Sequence, residues 1–325
     1  RVIHILDLTG FSFKLKSLEY SAKIYQLTED KAQIKQNVEA HRETLRNLTF
    51  YWEDSDFFKF AIFELKLEKL RCDLSSSGKF EELKGNETIK TLQLRCISGS
   101  DFDYIKKAFM CFQVVEKFHI EFSARYEETI MNALSTSMPK LKVLTLEFAY
   151  FYDLDEKEEE LLTSPYSITH VQTLIIYLIP KNSNVRARLM SSCPNVKKLI
   201  ILKGFYDKKL PSKDFKFILE SLEKLEEFII HGIVEFNDEI FALISTSNLR
   251  VIKILTTNET QQNEDFSEII ENFKNLKTRL VIDVAPSECD FFNFDDNEET
   301  IFDWDDYEDF GLECEWNNYI DNDES

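Results

Sequence analysis

A short apolar motif recurs along the chain, and this repeat constrains the fold more than any other feature. Each copy has an apolar residue, two variable positions, a second apolar residue, one variable position and a third apolar residue. Successive copies start 22 to 30 residues apart, close to the roughly 20–29 residues of a repeat with one strand and one connection. The nine complete copies are Leu45-Leu48-Phe50, Leu67-Leu70-Cys72, Ile89-Leu92-Leu94, Val115-Phe118-Ile120, Leu141-Leu144-Leu146, Val171-Leu174-Ile176, Val196-Leu199-Ile201, Leu225-Phe228-Ile230 and Leu249-Ile252-Ile254.

Between the copies, the apolar spacing changes to that of an amphipathic helix. Apolar residues at i, i+3, i+4 and i+7 predict helices over residues 212–222 and 263–273. Polar residues that favour the N-cap position precede these two helices and two other helical segments. The predicted N-caps are Ser183, Ser212, Asn237 and Asn263.

Alternating strands and helices in a fixed repeat predict an α/β solenoid with a parallel inner sheet and outer helices. An imperfect copy at each end, Leu15-Leu18-Tyr20 and Leu276-Leu280-Ile282, is typical of the terminal repeats that cap a stack. We therefore divide the chain into an N-terminal cap with the first atypical repeat (1–44), a repeat domain (45–284) and a tail (285–325). An ordinary doubly wound α/β domain is the alternative, but it needs no repeated spacing and normally carries glycines for a cofactor, whereas this chain has only 7 glycines.

Four segments at the predicted helix ends and strand starts resemble the repeats of F-box-type leucine-rich-repeat proteins. They are Ser191–Ile200, Thr136–Leu144, His41–Leu48 and Ile89–Cys96. The resemblance covers about Leu15 to Val284 and implies a horseshoe-shaped leucine-rich-repeat domain that holds a protein target. In that family a short helical module, the F-box, precedes the repeats and docks on a cullin ubiquitin ligase through a Skp-type adaptor. Such a module would lie upstream of Arg1, and catalysis would belong to partner subunits.

Motifs that carry chemistry are missing from the sequence. It has no glycine-rich phosphate loop, no nucleophile elbow, no zinc-protease motif and no calcium loop. Six cysteines are scattered without metal-site spacing, which is typical of reduced thiols inside cells, and the five histidines are far apart. We therefore expect a cytoplasmic or nuclear protein that is not an enzyme and needs no metal or cofactor. No apolar run is long enough to suggest a membrane span.

The variable positions of the motif point away from the core, because strand side chains alternate between the two faces of a sheet. Polar residues, including Thr145, fill these positions in the first half of the domain, and apolar residues fill them in the second half. An exposed apolar patch on such a face would indicate a protein-binding surface. The alternative is that these residues only reflect strand propensity or are covered. The predicted partner-binding residues are Arg71, Arg95, His119, Ile175, Tyr177, Ile200, Leu202, Ile229 and His231.

The tail concentrates negative charge, with 16 acids, nine aromatic residues and no Lys or Arg in residues 285–325. This composition predicts a segment that stays disordered by itself and offers aromatic side chains for docking. It could bind a basic protein, fold back onto the sheet near Arg71 and Arg95, or only be a solvated tail. Nucleic acid is excluded as its partner by charge. The candidate docking residues are Phe302, Trp304, Tyr307 and Trp316.

Two functions follow from this reading. The first is a recognition scaffold, the substrate-receptor part of an F-box-type ubiquitin ligase. The second is a histone-binding protein that resembles the acidic nuclear phosphoproteins, which also join leucine-rich repeats to an acidic tail. Those tails are nearly pure Asp and Glu, whereas this one also carries aromatic residues.

Overall fold

One parallel sheet of 11 strands organises the part of the chain that the structure describes. The structure is a computed structural model, and it describes residues 14–20, 28–50, 55–74, 85–96, 102–122, 127–148, 166–177, 183–203, 209–256 and 266–284. The strands are β1 (Ser17–Tyr20), β2 (Asn47–Phe50), β3 (Lys69–Leu74), β4 (Thr91–Cys96), β5 (Lys117–Phe122), β6 (Val143–Phe148), β7 (Thr173–Tyr177), β8 (Lys198–Lys203), β9 (Lys209–Leu210), β10 (Glu227–His231), β11 (Ile233–Val234), β12 (Val251–Thr256) and β13 (Arg279–Val284). All but β9 and β11 belong to this sheet, and they follow one another in chain order.

Helices occupy the connections between most strands, as the change in apolar spacing predicts. Among the described residues they are α1 (Thr28–Ala40), α2 (Ser55–Phe63), α3 (Phe102–Met110), α4 (Glu127–Ser137), α5 (Ser183–Ser192), α6 (Ser212–Ser221), α7 (Asp238–Thr246) and α8 (Ser267–Phe273). The predicted α/β class with a parallel sheet is therefore confirmed. The tail, with Phe302, Trp304, Tyr307 and Trp316, lies outside the described residues. The described residues belong to a compact unit that ends at Val284.

The register of the sheet aligns the apolar motif from strand to strand. Leu48 of β2 pairs with Leu70 of β3, which pairs with Leu92 of β4, and the same motif position continues through the sheet to Ile252. The imperfect end copies join this row, because Leu18 pairs with Leu48 and Leu280 pairs with Ile252. Each strand therefore adds one motif to a continuous apolar row.

The core lies between this face of the sheet and the helices. The second and third motif residues of the complete copies are at most 3% exposed. Aromatic rings join strand to helix: Phe50 lies 4.8 Å from Phe57 of α2, measured between ring centroids, and Phe228 lies 4.8 Å from Phe215 of α6. Cys72 occupies a motif position and is buried, and Cys111 and Cys193 are buried free thiols. Burial raises the pKa of Cys193 to about 12.

A repeated backbone contact fixes where each strand starts. In nine repeats one carbonyl oxygen, immediately before the strand, accepts the N–H groups of two consecutive residues of the next repeat, with N···O distances of 2.7 to 3.2 Å. Gln172, for example, accepts from Lys197 and Lys198. The Arg250 carbonyl, at the end of the series, accepts from Arg279 at 2.7 Å. These acceptors form the junction row, which continues with Arg250 at its end: Lys16, Arg46, Glu68, Lys90, Glu116, Lys142, Gln172, Lys197, Glu226 and Arg250.

The ends of the helices confirm one predicted cap and correct another. Asn237 is the N-cap of α7, and its Oδ1 accepts from the N–H of Ile240 at 2.9 Å. Ser212 is the first residue of α6 and is preceded by Pro211, which occupies the cap position without a side-chain hydrogen bond. Ser183 likewise starts α5, and Asn263 lies outside the described residues.

A second, two-stranded parallel sheet was not anticipated by the sequence analysis. It pairs β9 with β11, Ile233 opposite Lys209 and Val234 opposite Leu210. Gly232, with φ of 132°, connects β10 to β11. A side chain is disfavoured at that φ, so the turn depends on glycine.

We expect Leu144→Ala to reduce the free energy of unfolding by about 2–5 kcal/mol, because Leu144 is fully buried in the central row and the repeats bury apolar surface only against their neighbours. The control is Val143→Ala in the same strand, where the side chain is only half-buried and the loss should be clearly smaller. Urea titration measures both, and equal losses would contradict the register.

We expect Asn237→Ala to reduce the free energy of unfolding by about 0.5–2 kcal/mol, because it removes the acceptor for the Ile240 N–H. Asn237→Ser keeps an acceptor and should lose much less. Ser212→Ala should be nearly neutral, since that serine caps no helix. Urea titration of the three variants checks this order, and a larger loss for Ser212→Ala than for Asn237→Ala would overturn it.

Candidate functional site

The side of the sheet turned away from the helices carries the predicted partner-binding residues, and we call it the far face. Its side chains come from the positions between and after the motif residues, because strand residues alternate. The register aligns them in two rows. The first row is Thr49, Arg71, Gln93, His119, Thr145, Ile175, Ile200, Ile229, Lys253 and Val281. The second row, given by backbone register alone for Asp73 and Lys203, contains Asp73, Arg95, Glu121, Glu147, Tyr177 and Lys203, and later His231, Leu255 and Asp283.

Burial of the far face differs from the prediction of an exposed apolar patch. Ile175 is 9% exposed and Tyr177 is 7% exposed, so both are buried rather than exposed. Thr145, predicted as a surface residue, is fully buried. Ile200 and Ile229 remain half-buried. The accessible apolar part of this face therefore lies on β8 and β10 and continues to Leu255 of β12 and Val281 of β13, which are also half-buried.

Leu202 corrects a second expectation. A β-bulge interrupts the pairing of β7 with β8, so Ile176 pairs with Ile201 but Tyr177 pairs with Lys203. Leu202 is the extra residue, and it is only 4% exposed. An added residue in one strand shifts the alternation of side chains. Lys203 therefore takes the row position beside Tyr177 that the motif alone assigned to Leu202.

On the far face the buried His119 contacts Tyr177, which is also buried, and Glu147, which is half-buried. Its Nε2 is 2.9 Å from Glu147 Oε2, and its ring is parallel to that of Tyr177, with the centroids 5.9 Å apart. The aligned motifs contained this signal, because Glu147 and Tyr177 occupy the same far-face row on neighbouring strands.

The two predicted arginines do not form a uniformly basic patch. Arg95 pairs in register with Asp73 on one side and with Glu121 on the other. Arg71 lies between Thr49 and Gln93, and both arginine side chains are half-buried. Positive and negative residues thus alternate here. At the other end of the sheet, His231 is half-buried and pairs with Leu255.

The described residues of the far face offer hydrogen-bonding and apolar contacts. The hydroxyl of Thr145, the residue beside His119, has no hydrogen-bond partner in the described part of the chain, so no nucleophile–base pair is formed there. The described residues contain no group of three or more potential metal ligands. None of their helices has the length and apolar character to cross a membrane.

The chain matches no model of a protein family, and no curated protein sequence matches it significantly.

His170 is a titratable group outside the far face, in the turn before β7. Burial lowers its pKa, and a hydrogen bond with the backbone of Met138 opposes part of that shift. A histidine with a lowered folded-state pKa disfavours protonation in the fold. Protonation of His170 therefore lowers the free energy of unfolding. This loss is absent above the unfolded-state pKa of about 6.5 and grows as the pH falls below it.

We expect His170→Gln to lose less stability than the parent protein when the pH is lowered from about 7.5 to about 5, because glutamine does not take up a proton. Urea titrations at several pH values give the difference between the two proteins, in which shared contributions of other groups cancel. A difference that is constant over this window would show that His170 protonates equally easily in the folded and unfolded states.

Proposed function

We propose that this chain is a non-enzymatic recognition scaffold of the leucine-rich-repeat class, and that it serves as the substrate receptor of an F-box-type cullin ubiquitin ligase in the cytoplasm or nucleus. The repeats would form the horseshoe, and the far face would be its concave surface. A Skp-type adaptor would dock on a module outside this sequence. The observation that carries the proposal is the half-buried apolar surface of Ile200 and Ile229, next to the ordered His119–Glu147–Tyr177 cluster.

The chemistry of this surface suits a protein target. Apolar and aromatic groups at the centre of an interface contribute most of the binding energy, and polar groups around them give specificity. Ile200 and Ile229 pair with each other across β8 and β10, so they offer one continuous apolar contact. In the cluster on β5 to β7, Glu147 is half-buried and its carboxylate is held by the buried His119, so it offers polar contact in a fixed geometry.

Paired affinity purifications of the whole gene product from its own cells test the proposal. We expect a Skp-type adaptor and a cullin to copurify with the parent protein and equally with the double variant Ile200→Thr/Ile229→Thr. Protein targets should be lost from the variant, because truncating interface anchors costs about 1 kcal/mol or more each. Threonine keeps the β-branch, so the thermal midpoint should stay within a few degrees of the parent value.

Ile270→Thr is the matched control, because Ile270 of α8 is 47% exposed and lies outside the far face. It should retain every partner. Purification without adaptor or cullin would overturn the ligase assignment, and core histones as the main partners would favour the histone-binding alternative. Retention of the same targets by the double variant would show that the far face does not bind them.

A further inference from the structure

From Arg46 onward the junction row carries charges that alternate in sign, whereas Lys16 at its start has the same sign as Arg46. From Arg46 the row continues with Glu68, Lys90, Glu116 and Lys142, and it ends with Lys197, Glu226 and Arg250. Neighbouring members are one strand apart, roughly 4.8 Å. Like charges at this spacing would repel one another, so alternation is the arrangement that lets such a row be fully charged.

Ion pairs join neighbouring members of the row. Lys142 Nζ lies 2.7 Å from Glu116 Oε2, and Arg46 Nε lies 3.8 Å from Glu68 Oε1. Farther along, Glu226 contacts Lys197 and Arg250, each at 3.4 Å. The contact with Lys142 holds the pKa of Glu116 below its usual value, and Lys90 and Lys140 contribute to the shift.

Gln172 interrupts the alternation. It occupies the position where the pattern requires an acid, between Lys142 and Lys197. Both lysines instead form ion pairs with the acids on their other sides, Glu116 and Glu226. The two lysines therefore lie on either side of a neutral residue, with no carboxylate of the row between them.

A surface groove lies at this interruption. Four lysines and one glutamate line it, together with His170 and Gln172; the lysines are Lys140, Lys142, Lys197 and Lys224. Lys140 and Lys224 form no ion pair with the described residues. Lys224 Nζ donates to Asn195 Oδ1 at 2.6 Å, and Asn195 Nδ2 donates to the Thr169 carbonyl at 2.6 Å. The ammonium group of Lys224 is thus held at the groove by a chain of hydrogen bonds.

We propose that this groove, centred on Gln172, binds a carboxylate-rich peptide segment of a partner protein. The segment supplies the negative charge that the junction row lacks at position 172, and its other carboxylates meet Lys140 and Lys224. This site goes beyond the recognition function of the far face, because it lies at the starts of β6, β7, β8 and β10 rather than on the face of the sheet.

The dimensions favour a peptide over a single small anion. The lysines belong to the segments that lead into β6, β8 and β10, so they span roughly 14 Å across three strand spacings. An extended peptide covers that distance with about four residues at roughly 3.3 Å each. A single carboxylate or phosphate reaches only part of the groove.

Charge at the borders favours a peptide over nucleic acid. Glu116 and Glu226 stand at the two ends of the interruption, where a longer polyanion would meet them. Residues 1–284 contain 39 Lys and Arg against 43 Asp and Glu, a net charge of −4. A protein that binds nucleic acid needs a continuous basic surface along the phosphates, and this groove is too short to provide one.

Gln172→Glu is the decisive variant, because it places the missing acid between Lys142 and Lys197. We expect the intact chain to bind a fluorescein-labelled hexaglutamate peptide, with an affinity that falls between about 50 mM and about 200 mM salt. Gln172→Glu should weaken binding by about tenfold or more, because the new carboxylate takes the place of the ligand's and repels it. Its thermal midpoint should equal or exceed the parent value.

The controls separate local from general charge effects. Gln172→Asn keeps the site neutral and should keep binding, and Gln36→Glu makes the same charge change on the exposed surface of α1 and should leave binding unchanged. Lys140→Ala/Lys224→Ala should weaken binding without lowering the thermal midpoint. Ile200→Thr/Ile229→Thr should not affect it, which separates this site from the far face.

Three results would overturn the proposal. They are failure of the parent protein to bind hexaglutamate at low salt, equal binding by Gln172→Glu, and tighter binding of a single-stranded oligonucleotide than of the peptide. A marked fall in the thermal midpoint of Gln172→Glu would also contradict it, because the two lysines would then not favour a negative charge at position 172.

Discussion

One backbone contact sets the geometry of this fold: before each strand of the main sheet from β1 to β10, a single carbonyl oxygen accepts two N–H groups from the next repeat. A peptide oxygen has two lone pairs, so this contact uses its full capacity. It also fixes the strand start in the next repeat relative to the one before. The apolar rows, the far-face rows and the junction row are all consequences of this constant offset, because each side chain is placed by counting from the same point.

The register could be predicted from the sequence because the signals that determine it are local. Within each motif copy, an apolar residue two positions after another identifies a strand without knowledge of its neighbours. Helical spacing between successive copies separates one strand from the next. Leu18 and Leu280 show the strength of that signal, since both join the apolar row although their own copies are imperfect. Helix ends are less local. Ser212 has a favourable N-cap side chain, yet Pro211 takes the cap position.

The far face was harder to predict because its burial depends on residues from several repeats at once. Thr145 is polar and lies at a variable motif position, yet it is fully buried between His119 and Ile175. Alternation gives the direction of a side chain but not the size of its neighbours. The prediction for Leu202 was wrong for a different reason. A bulge adds one residue within β8, and the motif contains no feature that predicts an extra residue.

The junction row and the far face are coupled through the strands that they share. Gln172 immediately precedes β7, and Ile175 follows it by three residues. Lys197 and Ile200 have the same relation at β8. Three residues of strand span roughly 10 Å. A shift of register by one residue would invert the far face and would also move the lysines away from Gln172. The apolar contact of β8 and β10 and the charged groove at the strand starts therefore depend on the same carbonyl contacts. The bulge at Leu202 follows both Lys197 and Ile200 in β8. It therefore changes the end of the strand and does not alter the alignment of the groove or of the apolar contact.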